Sequence, residues 1–189
     1  MTDPLNLALM KHCLDLTLQC PVSPTAFCVG STLFLPASSP FYERLKDLFP
    51  IFNDPTTGKP AGLLLADGYS RQIPGNTHAE ANALTNFRER MNQLEEEASH
   101  PNLPTADDVL AQSECFATME PCSVRTSGGP SCALELVRAH VRAVFLGVEE
   151  PPDFVQCEGV RILDQGGVEV RRVVGLEDEC LKAARRGRS

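Results

Sequence analysis

Four residues in two short blocks have types and spacing that could do chemistry together: His78 and Glu80 in "NTHAEANAL", and Cys122 and Cys132 in "TMEPCSVRTSGGPSC". Two cysteines ten positions apart around Ser, Thr, Arg and Gly could form a disulfide, pair a nucleophile with a bystander, or supply half of a metal site. An imidazole with two thiolates is an accepted zinc set, and a catalytic zinc takes three protein ligands and keeps a fourth position open. A purely structural zinc normally takes a fourth protein ligand. Glu80 stands two residues beyond His78 at the start of a helical pattern, so it faces another direction and suits work on water beside the metal rather than ligation. The expected ligands for Zn2+ are therefore His78, Cys122 and Cys132, with Glu80 as the catalytic proton carrier.

The surroundings of both cysteines agree with thiolate chemistry. Cys132 lies near an expected helix start, where unpaired N–H groups and the positive dipole end favour an anion. Cys122 follows an expected strand end with Arg125 nearby, and metal binding would complete the deprotonation of both thiols. Pro121 fixes one backbone angle as the chain leaves the strand. Taken singly, a His and a Glu on a helix are usually a satisfied surface pair, and spaced cysteines are usually core thiols. Their joint order, at strand ends and helix starts, favours catalytic zinc. Cys13, Cys20, Cys115, Cys157 and Cys180 read as core or half-exposed thiols, and Cys28 as part of a buried strand.

These residues need elements to position them, and the chain alternates helical and strand patterns, as a layered α/β domain does. A helix is expected from Pro4 to about Cys20, a buried strand over 25–35 and a second strand over 61–70 that could pair with it. The proline-broken insertion of about 36–60 reads as a loop with a short helix at "FYERLKDLF". From Thr77 a long helix places Ala81, Leu84, Phe87, Met91 and Leu94 on one buried face. An acidic, variable loop follows over about 92–112, then a strand over 115–120, a helix over 131–141 and a strand over 143–150. A turn at Gly166-Gly167 leads into a last strand, and "LEDECLKAARR" closes the chain as a helix.

Length and composition limit the options. With 189 residues and 42% hydrophobic content, the chain fits a single domain over 1–189 with a substantial core. Eight cysteines in a chain without the basic start and apolar run of a signal peptide read as reduced thiols. The expected location is the cytoplasm, with the nucleus also open to it. No stretch reaches the roughly 18 apolar residues of a membrane span, so no membrane partner is expected. A net charge of −8 argues against nonspecific nucleic-acid binding. The basic "KAARRGRS" end is expected to cap the last helix and continue as a frayed tail.

"HAE" followed by "PC…C" resembles the signature of the cytidine-deaminase-like superfamily, whose usual form has two residues between the cysteines where this chain has nine. The long intercysteine loop, with "DGYSRQIPGNTHAEANAL" and "TMEPCSVRTSG", is most similar to the fungal branch of the pyrimidine deaminases of riboflavin biosynthesis. The resemblance implies a three-layer α/β/α fold with a central mixed five-stranded sheet. It also implies hydrolytic deamination of 2,5-diamino-6-(ribitylamino)-4(3H)-pyrimidinone 5'-phosphate to the 5-amino-6-(ribitylamino)uracil phosphate. Relatives are generally oligomeric, which implies a homodimer or larger homo-oligomer. Some carry a fused reductase or pseudouridine synthase for which this length has no room, so a free-standing deaminase is expected.

For the ring edge and the leaving amine, the family implies Ala79 and Glu120. For the phosphate, Arg71 and Asn76 in "YSRQIPGN" and Arg125 and Ser127 in the intercysteine loop are the candidates, against a reading as plain solvated turns. Two other functions stay open. One is a deaminase of a different nucleoside, nucleotide or aminopyrimidine; the other is a noncatalytic zinc-stabilised subunit, which would have no use for Glu80.

Overall fold

The computed structural model describes residues 3–97, 102–125, 128–150 and 157–188. Its centre is a mixed sheet of strands β1 (Gly30–Pro36), β2 (Ile51–Asn53), β3 (Pro60–Tyr69), β4 (Glu114–Met119), β5 (Ala143–Val148) and β6 (Glu169–Arg172). Their spatial order is β2-β3-β1-β4-β5-β6. β2, β3, β1 and β4 pair antiparallel, whereas β4, β5 and β6 run parallel. The parallel half is joined by crossover helices α5 (Cys132–Arg138) and α6 (Gly159–Gln165), as parallel neighbours require.

Side chains that alternate along each strand build the two faces. Leu33 and Leu35 of β1, Cys115 of β4 and Val144 of β5 point into one core, against Ala83, Leu84, Phe87, Met91 and Leu94 of α3 (Ala79–Glu96). The intervening Phe34, Phe116 and Phe145 point the other way, onto Leu9, Met10 and Cys13 of α1 (Pro4–Thr17) and Cys180 of α7 (Glu177–Ala184). Phe116 stacks on Phe145 with ring centroids 4.3 Å apart, and Phe34 meets Phe116 edge to face. Three layers result, as the family resemblance implied. Local signals set the helix starts: Asp3 caps α1 by accepting from the Leu5 N–H, with Pro4 in the first position where no N–H is needed.

Several expectations change. The sheet has six strands, not five, because Ile51–Asn53 inside the supposed insertion loop add to the outer half of β3. Two of those three residues are exposed, so the segment carried no buried-strand pattern. The short helix of the insertion is α2 (Tyr42–Leu45). The first strand begins at Gly30, and residues 25–29, including buried Cys28, form a loop instead. The acidic 92–112 stretch is largely helical among its described residues: α3 continues to Glu96 and α4 (Ala106–Leu110) follows a Thr105 cap. The basic end is docked rather than frayed through Arg188. The Arg186 guanidinium donates to the Thr17 and Cys20 carbonyls, and Arg188 lies 4.0 Å from the Phe27 ring centre. Among the described residues, no helix is long and apolar enough to cross a membrane.

Candidate active site

The carboxyl ends of β3, β4 and β5 and the first turns of α3 and α5 meet at one edge of the sheet, where open α/β folds form ligand crevices. His78 occupies the cap position of α3 with extended backbone and no capping bond from its side chain, so the imidazole is free to turn away from its own helix. Cys132 is the first residue of α5, and Ser131 caps that helix by accepting from the Leu134 N–H at 3.3 Å. Cys122 lies just past β4 after Pro121. Its Sγ is 3.5 Å from His78 Nδ1 and accepts the Cys132 N–H at 3.4 Å.

One nitrogen and two sulfurs of these three residues lie within 4.8 Å of one another, although they come from positions up to 54 residues apart (132 − 78). Among the described residues no fourth ligand joins the group. Three N/S donors with one side left open fit a catalytic zinc better than a closed structural one. The electrostatics favour a negative sulfur at Cys122: hydrogen bonding from the Cys132 thiol, then from His78 and the Cys132 N–H, lowers its pKa to about 4. Cys132, holding the proton shared with Cys122 and buried as well, is pushed up well above the ordinary thiol value. The same Cys122 contact raises His78.

Glu80 is buried in the first turn of α3, and burial, followed by the negative charge of Cys122, pushes its carboxyl up to about 7. A carboxyl that gains and loses a proton near neutrality is suited to general acid–base work. His78, Glu80 and Cys122 face a cavity of about 290 Å³. That volume suits one small molecule.

The other expected contacts divide. Ala79 and the exposed Asn76 line the cavity. Arg71 also lines it, but its guanidinium donates to the Pro21 carbonyl at 2.8 and 2.5 Å and to the Phe27 carbonyl at 2.9 Å, holding the 21–27 loop as a wall. Glu120 reaches the cavity, yet its carboxylate accepts the N–H groups of Val160 at 2.9 Å and Glu150 at 3.4 Å. Arg125 turns away from the cavity towards Cys132 and Glu135. Ser127 lies outside the described residues.

Other wall residues were not apparent from the sequence. Phe27 and Glu150 line the cavity, and Asn82 clamps its 70–77 rim by donating to the Tyr69 carbonyl at 2.8 Å and Thr77 Oγ1 at 3.1 Å. Glu150 follows a parallel strand end, a position that could have drawn attention. Nothing local marks Phe27.

No protein-family model matches the chain. A diaminohydroxyphosphoribosylamino-pyrimidine deaminase of Schizosaccharomyces pombe is 38% identical over 126 residues, which is 67% of this chain and 28% of that protein. The riboflavin biosynthesis protein RibD of Actinobacillus pleuropneumoniae is 31% identical over 120 residues, or 63% of this chain and 26% of its own. The chain thus spans under a third of the length of these curated relatives. Among solved structures, the Aspergillus oryzae Rib2 deaminase in complex with DARIPP superposes with a TM-score of 0.71 at 25% identity, covering 98% of this chain and 92% of that one.

Proposed function

We propose that the chain is a member of the cytidine-deaminase-like superfamily and, like the riboflavin-pathway pyrimidine deaminases it resembles, a zinc-dependent hydrolytic deaminase of a phosphorylated 2,5-diaminopyrimidinone. The observation that carries this reading is the convergence of His78, Cys122 and the buried Cys132, with His78, Cys122 and Glu80 on the wall of a small-molecule cavity. The three residues would hold the metal. A zinc ion there supplies a Lewis acid that makes hydroxide available near neutral pH.

The chain's own residues do the rest. Glu80 accepts a proton from water and delivers it to the ring nitrogen as the oxygen adds to the amino-bearing ring carbon, giving a tetrahedral carbon. Glu80 then carries the second proton to the departing amine; ammonia leaves, the C–N bond breaks and a ring carbonyl remains. Ala79 and Glu120, both on the cavity wall, are our candidates for the ring edge, and Asn76 is the cavity-facing candidate for the side chain of the substrate. The proposed substrate is 2,5-diamino-6-(ribitylamino)-4(3H)-pyrimidinone 5'-phosphate. The assembly we propose is a homodimer or larger homo-oligomer.

Two alternatives are decided by one assay. The name of the S. pombe relative specifies the phosphoribosylamino form, so both side chains belong in the assay. A noncatalytic zinc-stabilised subunit fits poorly with a buried carboxyl facing an open cavity. The test is ammonia release across the ribityl and ribosyl aminopyrimidinone phosphates, the dephosphorylated ribityl compound, cytidine, dCMP and guanine. Turnover of an aminopyrimidinone phosphate above all others is the expected result. Preference for cytidine, dCMP or guanine would replace the substrate, and no ammonia from any compound by zinc-loaded protein would leave the subunit reading.

A further inference from the structure

Arg125 is held in a place that a phosphate contact does not explain. Its side chain is 14% exposed, and its Nη2 donates to Cys132 Sγ at 3.4 Å and to Glu135 Oε2 at 3.4 Å. Glu135 projects from the first turn of α5, the helix that Cys132 begins, so one short helix carries both the sulfur and the carboxylate that orients the guanidinium. To reach the cavity, Arg125 would have to leave both partners.

The charges at the site give this contact a purpose. A thiolate sulfur is costly where water is excluded unless a donor meets it, and the guanidinium supplies a charged donor to Cys132 Sγ while its ion pair with Glu135 balances its own charge. Groups behind metal ligands commonly orient them and tune their donation, as carboxylates do behind ligating histidines.

We propose that Arg125, oriented by Glu135, is a positioning residue for the Cys132 ligand, supporting the metal site from behind rather than binding the substrate phosphate. This rests on the metal site proposed above. A donor on Sγ draws electron density from the sulfur, which would raise the energy of thiolate-to-metal charge transfer in a metal-loaded site, while the gain in affinity comes from holding the Cys132 side chain in place. The fixed guanidinium also limits rotation of the Cys132 side chain before metal arrives.

Zinc affinity measured by competition with a chromogenic chelator tests this, using wild type, Arg125→Met, Arg125→Lys and Glu135→Gln, with thermal melts of the metal-free proteins alongside. Arg125→Met should bind zinc about 10- to 100-fold more weakly, the range typical for loss of a group behind a metal ligand. Arg125→Lys should recover part of the loss through its charge, and Glu135→Gln should lose affinity in the same direction by less. In cobalt-loaded protein, Arg125→Met should move the thiolate-to-metal absorption to longer wavelength, a change that a purely structural role would not cause. A Met variant whose zinc affinity stays within about twofold of wild type, whatever its melting temperature, overturns the inference. If its KM for the phosphorylated aminopyrimidine alone rises, the guanidinium serves the phosphate. Wild-type protein that binds no zinc would overturn the metal site itself, a failure distinct from a variant that binds normally.

Discussion

Gly68 on β3 should govern the active site without touching it. The strand passes beneath the first turn of α3 at this residue, and a Cβ built there would lie 2.5 Å from the Ala83 nitrogen and closer still to the Ala79 carbonyl oxygen. Ordinary contact begins near 3.4 Å, so Gly68→Ala requires about 0.9 Å of separation (3.4 − 2.5) at Ala83 and more at Ala79. Both obstacles are helix backbone, which cannot rotate aside. Ala79 sits between His78 and Glu80, and the shift carries the metal ligand and the proton carrier together. Overpacking of this kind costs about 1–3 kcal/mol. For a chain of this size that lowers the melting temperature by roughly 2–12 °C. Displacement of a catalytic group by about 1 Å costs on the order of 10²-fold in rate. The assay is ammonia release, zinc content and a thermal melt on the same preparation. Gly58→Ala is the control: its positive φ of 70° strains an alanine, but nothing lies within 4 Å of the added methyl, so stability falls while kcat holds. A Gly68→Ala protein with full zinc and kcat within about threefold of wild type would refute the reasoning.

Other expectations follow from the same geometry. Glu80→Gln should fold and keep zinc, since the three ligands are untouched, yet lose deamination by about 10²-fold or more; an active variant would end the proposed mechanism. His78→Ala or chelation of wild-type protein should lower the melting temperature through loss of metal binding to the folded state, read as a zinc-dependent shift in thermal melts. His12 Nε2 lies 2.9 Å from Asp67 Oδ1 across α1 and β3, and that hydrogen bond is the main cause of its raised pKa. Because the folded-state value is raised, the pair stabilises fully below the ordinary value of 6.5, and the contribution disappears as pH rises through the higher folded value. With both groups partly exposed, His12→Gln should cost about 0.2–1 kcal/mol in melts near pH 5.5 and much less near pH 8.5; an equal loss at both would assign the effect to packing.

The chemistry of this protein is legible in its sequence because the donor types are few and their neighbours are local. "HAE" at a helix start and "PC" after an apolar strand name an imidazole, a carboxylate and a thiol whose positions depend on the next few residues only. The layered fold is legible for a similar reason: Leu33, Phe34 and Leu35 already announce a strand buried on both sides, and Leu84, Phe87, Met91 and Leu94 announce one helix face, although Ala83 rather than the half-buried Ala81 completes it. The ten-residue step from Cys122 to Cys132 says nothing of distance, and only the docking of α5 beside β4 brings the Cys132 N–H to the Cys122 sulfur.

Arginine destinations lay beyond the sequence altogether. A guanidinium on a long side chain reaches many partners, and tertiary packing turned Arg71 to the carbonyls of Pro21 and Phe27, Arg125 to Cys132 and Glu135, and Arg186 to Thr17 and Cys20. β2 was hidden because an edge strand paired on one side and mostly exposed needs no hydrophobic alternation; its register comes from β3 alone. Local pattern thus determined which atoms could do the chemistry. Long-range contacts, which no window of neighbouring residues records, decided which charges stand behind them.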